Sequence, residues 1–435
     1  MKQLRFLFAM LALVLCAQGG SAQYYYKTYH YFQTEGGGRI YCSIISEQDK
    51  TIRIVSTIHE RTNFSISFSR NPHVEQEVRG EVSLPGAARV VFYDELGNKR
   101  QDKGLYPITE LADQAFAGCT SLTALTLPPT GKSIGANAFT GCTNLLTLTL
   151  SANVRDIKLP LFASGDNLAA VNVAATNPVY SSFDGILCRE GTVVYCPLNR
   201  RTPVTVPSSV NEIGAEAFAN HPNLPAVVVQ SGVKRIADRA FKGCASLLSV
   251  TIENGVTAIG DGAFQDCKVL KEMAIPGSVR RIGSSAFAGC SALAGVVFGE
   301  GVESIGSSAF EGCRLIASVA LPASLQSIYS NAFKKCSGIR SLSFSEGLTH
   351  IGEGAFCFCS GLKSVALPQS LTALGESAFM GCTGLERAVL GQSMTSIGRY
   401  AFYGCGNLTE VNIPKTLHNI PDETFMGCGK LTLAF

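Results

Sequence analysis

The residues of this chain that could do chemistry are mostly cysteines. Sixteen occur in 435 residues, and eleven follow a phenylalanine at a fixed distance of three: Cys119, Cys142, Cys244, Cys267, Cys290, Cys313, Cys336, Cys359, Cys382, Cys405 and Cys428. In an exported protein such a set first suggests disulfides, and with histidines at finger spacing it would suggest zinc. Neither suits this pattern. Equivalent positions of a repeat aim their side chains the same way instead of at each other, and no histidine accompanies the recurring spacing. The spacing predicts a ladder of buried free thiols packed as small hydrophobes, holding no metal and no cofactor.

Two shorter strings look enzymatic. Gly131-Lys132-Ser133-Ile134-Gly135 fits the G-x-S-x-G pattern of hydrolase nucleophiles, and Thr130 to Ser133 matches the end of a phosphate-binding loop. Thr126 stands where that loop needs its first glycine, and Pro128 and Pro129 remove backbone donors. Ser133 sits in a turn with a counterpart in every repeat. The six histidines, at positions 30, 59, 73, 221, 350 and 418, fall in different frames and assemble no catalytic constellation. The chain reads as a non-enzyme.

The elements that must position these residues follow from periodicity. The pentapeptide AFAGC occurs at 115–119 and again at 286–290, and Ala-Phe pairs return every 23 residues from Phe218 to Phe402. Phe425 continues the phase; Phe116, Phe139 and Phe162 share it, separated from Phe218 by a 56-residue step. Such a period marks a solenoid, whose units bury their apolar faces only by stacking. Six residues after each frame Phe stands Leu or Ile. Apolar residues follow at the ninth and eleventh positions, as in Val250 and Ile252, which is the alternation of a short parallel strand. An Ile-Gly pair such as Ile305-Gly306 then precedes the next Ala-Phe, with glycine permitting the sharp turn. From Glu253 onward the residue after each strand alternates with a period of 46, Pro276, Pro322, Pro368 and Pro414 marking every second unit.

With these residues in view, Leu-x-x-Val-x-Ile-Pro followed by Val-x-x-Ile-Gly-x-x-Ala-Phe-x-Gly-Cys resembles the BspA-like family of bacterial leucine-rich-repeat surface proteins. The resemblance spans 108–435 and implies a leucine-rich-repeat solenoid of 23-residue units with short parallel strands. NPVYSSFDGILCREGTVVY, from Asn177 to Tyr195, resembles a hairpin insertion of the family and fills the 56-residue step, so that the insertion is placed at about 176–206. Residues 23–107, with GGGRIYCSII, KTIRIV and GEVSLP, resemble the family's N-terminal β-rich segment, although NPHVEQEV at 71–78 departs from its usual short turn.

Residues 1–22 begin with Lys2 and Arg5, run through an apolar stretch and close on Gly20-Ser21-Ala22, the pattern of a cleaved secretory signal. Leu15 before Cys16 is the wrong residue for lipoprotein processing. No later run is long and apolar enough to span a bilayer. A formal net charge of +3 with 16% charged residues gives no field suited to nucleic acid. Export to the cell surface or medium is expected.

A partner would have to touch ladders of equivalent positions. The exposed column of the strands carries small side chains, without the aromatic and arginine anchors that concentrate binding energy, and reads as a solvated sheet. The column just after the frame Phe changes character. Its earlier members include Lys242, Glu311 and Lys334, whereas the last four are Cys357, Met380, Tyr403 and Met426, with Phe358 alongside. If that column faces solvent, these five form an apolar contact stripe. The expected role is protein–protein contact; the family resemblance implies adhesion to host matrix proteins or other cells. The alternative is a self-assembling structural component of the surface.

Overall fold

The computed structural model describes residues 30–33, 39–46, 51–56, 80–84, 87–93, 99–162 and 167–432. The expected signal, NPHVEQEV and residues 433–435 lie outside them.

Each coil closes because three short pieces of the unit make different demands on the backbone. Around Phe287 the chain turns over 284–289, with left-handed residues Ser285 (φ 54°) and Gly289 (φ 75°) on either side of the fully buried ring. The strand Gly295–Phe298 follows, turning Val296 and Phe298 inward and Val297 outward. The two-residue strand Ser304–Ile305 then buries Ile305. At Gly306 a Cβ atom would stand 2.6 Å from the Gly283 carbonyl carbon and the Ser284 nitrogen of the preceding coil. Glycine leaves that approach free in most coils, and the coils with Ala237 or Tyr329 at this position keep the same backbone bond to the coil before.

Successive coils stack in register, each position beside its own equivalent: Val227 pairs with Val250, and Ile236 with Ile259, in parallel. One sheet of twelve strands runs unbroken from Tyr180–Phe183 to Ser396–Ile397. The longer strands form shorter runs, of which the longest among the described residues extends through five strands from Val204–Val206 to Gly295–Phe298. The protein is a β-solenoid of 23-residue parallel-strand repeats.

Inside, the frame phenylalanines from Phe218 to Phe425 make a continuous stack. From Phe241 to Phe379 neighbouring ring centroids lie 5.1–5.2 Å apart with interplanar angles of 1–7°. That separation at near-parallel orientation is an offset stack, a favoured aromatic arrangement.

The thiols do more than pack. The fourteen cysteines from Cys119 to Cys428 are buried and outside disulfides. In ten coils Sγ lies 2.9–3.3 Å from the frame-Phe carbonyl of the coil before, as Cys313 does to Phe287 at 3.1 Å. The Phe287 carbonyl also accepts the Cys290 backbone N–H at 3.2 Å. Both of its lone pairs are thereby used. Burial, reinforced by the neighbouring thiol of the ladder, holds Cys290 and Cys313 well above the usual thiol range.

Three antiparallel strands, Tyr180–Phe183, Ile186–Arg189 and Thr192–Tyr195, occupy the 56-residue step and join the twelve-stranded sheet where Thr192–Tyr195 runs parallel to Glu212–Ile213. They divide the interior in two. Tyr180 and Leu187 belong to the core that begins at Ile54, whereas Ile186, Cys188 and Val193 belong to the one that extends to Cys428. The Tyr180 hydroxyl accepts the Ile157 backbone N–H at 3.0 Å, satisfying the last ladder strand of the first core.

In the first coil beyond this partition, His221 stands where other coils have cysteine. Its Nδ1 accepts the Leu224 N–H at 3.0 Å, so Nε2 carries the proton and donates to the Pro197 carbonyl at 3.0 Å. The ring is fully buried, and burial lowers its pKa.

At the N-terminal end, Thr51–Ser56 and Lys99–Leu111 pair in parallel, and Lys99–Leu111 continues into the repeat ladder through Ser133–Ile134. Ile54, Ile108 and Leu111 fill the first core beside Phe116.

Three outcomes are expected. Native protein should react with a thiol reagent at only a small fraction of the sites titrated after denaturation, because buried protonated thiols are inert. Cys313→Ala should lower stability by about 1–2 kcal/mol in denaturant unfolding, through one lost hydrogen bond and a small cavity. The depressed His221 pKa means that the unfolded state binds its proton first, so stability should fall as pH drops below about 6.5. His221→Cys should flatten that part of the profile.

Candidate functional site

The enzymatic strings resolve into architecture. Ser133 opens a two-residue strand paired in parallel with Asp156, a position filled in later coils by Glu212 and Arg235. Gly135, the last residue of the G-x-S-x-G match, is needed because a Cβ there would lie 2.3 Å from the Asp113 nitrogen. Among the described residues no three His, Cys, Asp or Glu side chains are grouped to hold a metal ion.

The C-terminal turn column is different. Phe358 donates its backbone N–H to the Met380 carbonyl at 2.7 Å, Gly381 to Tyr403 at 2.8 Å, and Gly404 to Met426 at 2.8 Å. Met380, Tyr403 and Met426 therefore stack as consecutive rungs, with Phe358 at the near end. Phe358 is 43% exposed and Met426 57%; Met380 and Tyr403 are half-buried. Cys357 departs from the expectation for this column. It is only 5% exposed, and burial raises its thiol pKa against the opposing influence of Lys334 and Lys335. Size does not account for this, because the smaller Ala117, Ala219 and Ala288 of the same column are partly exposed; Cys357 offers almost no surface of its own.

The backbone under the patch is strained. Phe358 has φ 61°, at a position where most coils place glycine, such as Gly289 and Gly312. Its ring lies over the backbone of the next coil, since a Cβ on Gly381 would come within 2.5 Å of Phe358 Cδ1. Tyr400, two residues before its frame Phe, has φ 60°, where other coils carry Asn137, Ser308, Asn331 or Gly354. Holding a bulky residue in this left-handed region costs about 1–2 kcal/mol relative to a compatible one. Neither ring repays that by full burial.

Tyr400 widens the site and was not among the residues singled out from the sequence. It packs edge-on against Tyr403 at 5.6 Å, and the Arg399 guanidinium sits 4.9 Å from its ring centroid. Arg399 also pairs with Glu423, the carboxylate raising the arginine pKa and being lowered in turn. The signal for Tyr400 was available in the column two before Phe, where it is the one aromatic among the described frames.

The strain yields a test. Phe358→Gly should leave the unfolding free energy within about 1 kcal/mol of the parent or raise it, because relief of the left-handed conformation offsets lost contact and added chain entropy. A loss near 3 kcal/mol in a denaturant titration would instead make this ring core packing.

Comparison with known proteins bears on the whole chain. The profile of the BspA type leucine rich repeat region matches residues 105–183, 195–317 and 303–432. No curated protein matches. A leucine-rich repeat protein from Bacteroides ovatus is 21% identical over 94% of this chain and 98% of its own, with a TM-score of 0.55, and shares the fold. A leucine rich cell surface protein from Faecalibacterium prausnitzii is 23% identical over 93% of this chain and 94% of its own (TM-score 0.44). A leucine rich repeat protein of T. pallidum is 31% identical over 42% of this chain and 78% of its own (TM-score 0.36). With repeats of this type matched along most of its length and stacked as a solenoid, the chain belongs to the family of BspA-type leucine-rich-repeat proteins.

Proposed function

We propose that this protein works by protein–protein contact at an exported or cell-surface location, adhering to host matrix proteins or to other cells through the turn face that carries Phe358, Met380, Tyr403 and Met426. The observation that carries this reading is the placement of two bulky aromatic residues, Phe358 and Tyr400, in left-handed turn positions with their rings incompletely buried. A core has no use for such residues, whereas a partner gains rigid aromatic area at low entropic cost. The secretory pattern at 1–22 and the surface description of the Faecalibacterium relative support an extracellular setting.

The direct test is binding of the chain from Gln23 onward to immobilised fibronectin, fibrinogen, laminin and collagen, beside the Met380→Asp/Tyr403→Asp variant. Saturable binding that the variant loses while keeping its unfolding midpoint is the expected result. Binding that the variant retains would remove this face from the site, and no binding to any of the four would remove matrix adhesion.

A further inference from the structure

The aromatic turn face has an electrostatic counterpart on the same chain. Glu353 and Glu376 stand exposed three residues before the frame phenylalanines Phe356 and Phe379, one rung apart, and form no ion pair among the described residues. Further toward the N-terminus, the residues seven after each frame Phe form a stacked column. Lys271 donates its backbone N–H to Leu248, Ala294 to Lys271, Ala317 to Ala294 and Arg340 to Ala317, at 2.8–3.4 Å.

Leu248, Lys271 and Arg340 in that column are exposed, and so are Arg314 and Leu315 (56%) beside it. Lys271, Arg314 and Arg340 have no ion-pair partner among the described residues. Between Lys271 and Arg340 only Ala294 and Ala317 intervene, leaving a recess two small residues wide between cationic ends. Three rungs at about 4.8 Å make this edge about 15 Å long, the same span as the turn face from the Phe358 coil to the Met426 coil.

We propose that the occupant of the aromatic turn face is a second copy of this chain, presenting its basic edge. Apolar area meets apolar area, with Phe358, Met380 and Tyr403 covering Leu248, the alanine recess and Leu315. The acidic rim of Glu353 and Glu376 meets Lys271, Arg314 and Arg340. Both surfaces repeat with the same rung spacing, so register along the axis is conserved across the contact. The two patches lie on different parts of one molecule. The contact is therefore heterologous, and repeated addition gives open chains instead of a closed dimer. The inference rests on the reading of the turn face as a contact surface.

Sedimentation velocity on the chain from Gln23 onward tests it. Raising the concentration should raise the weight-average mass roughly two-fold or more at about 0.1 M salt, and less at about 1 M, where the screening length falls from about 10 Å to about 3 Å. Lys271→Glu/Arg340→Glu should stay monomeric, as should Met380→Asp/Tyr403→Asp, both with unchanged unfolding midpoints. Mixed together, the two variants should form dimers and nothing larger, because each retains one working face. A monomeric parent at all concentrations, or association that survives Lys271→Glu/Arg340→Glu, overturns the proposal. Lys271→Glu/Arg340→Glu leaves the turn face intact. Its binding to an immobilised matrix protein therefore reports on adhesion separately from self-association.

Discussion

The structure depends on a carbonyl oxygen. Each coil turns the backbone C=O of its frame phenylalanine into the core, where an unsatisfied acceptor would cost about 1–3 kcal/mol. One lone pair takes the N–H of the cysteine three residues on, and the other takes the thiol of the next coil. Alanine at the cysteine position would leave a small void and the second lone pair empty. Cysteine is apolar enough to bury and still able to donate, so the requirement selects it coil after coil. The same contact sets the spacing at which the phenylalanine rings overlap. Stacking, hydrogen bonding and the glycine that allows close approach are three expressions of one distance between coils.

The exception follows from the same requirement. Ladder thiols reach carbonyls 26 residues earlier in sequence, but behind His221 the antiparallel insertion interrupts the series, and the carbonyl to be served is that of Pro197, 24 residues earlier. Imidazole reaches it while its second nitrogen accepts from Leu224. The insertion itself closes one core with Tyr180 and Leu187 and opens the next with Ile186 and Cys188. A three-stranded sheet can do this because successive residues of a strand face opposite sides. The solenoid is therefore two stacked cores with a shared wall.

Much of this was legible in the sequence, because periodicity reports burial directly. Phe, Leu and Ile columns, the short alternating strand and the Ile-Gly turn each recur at one spacing, and each is a core or close-approach position. The thiols were read correctly as buried and unpaired, but their donor role was not, since composition does not reveal which carbonyl lies 3 Å from a given sulfur. Cys357 was placed on the surface by analogy with Lys and Glu in its column, yet it alone of that column is buried among the described residues. Tyr400 was legible as the one aromatic in its column, but the strain it carries was not, because the left-handed conformation two residues before Phe is a backbone property, visible only once φ is known.

Those left-handed positions also show where the chain is free to differ between coils. Core columns cannot vary without opening a cavity or orphaning a carbonyl, and the close-approach column is glycine in most coils, with Ala237 and Tyr329 among the exceptions. The left-handed turn positions on either side of Phe, by contrast, carry Gln, Asn, Glu, Arg, Gly, Ser, Asp and Lys on one repeating backbone. Most are small or polar, as the solvent and the local conformation prefer. Phe358 and Tyr400 violate both preferences within three consecutive coils, and Met380, Tyr403 and Met426 add apolar area at the same end. Independent lapses would scatter over the eleven or more turns, whereas these coincide on one face. Such coincidence is what selection for a contact outside the core would leave, and it explains why the proposed partner surface lies on the turns instead of on the smooth sheet of small side chains.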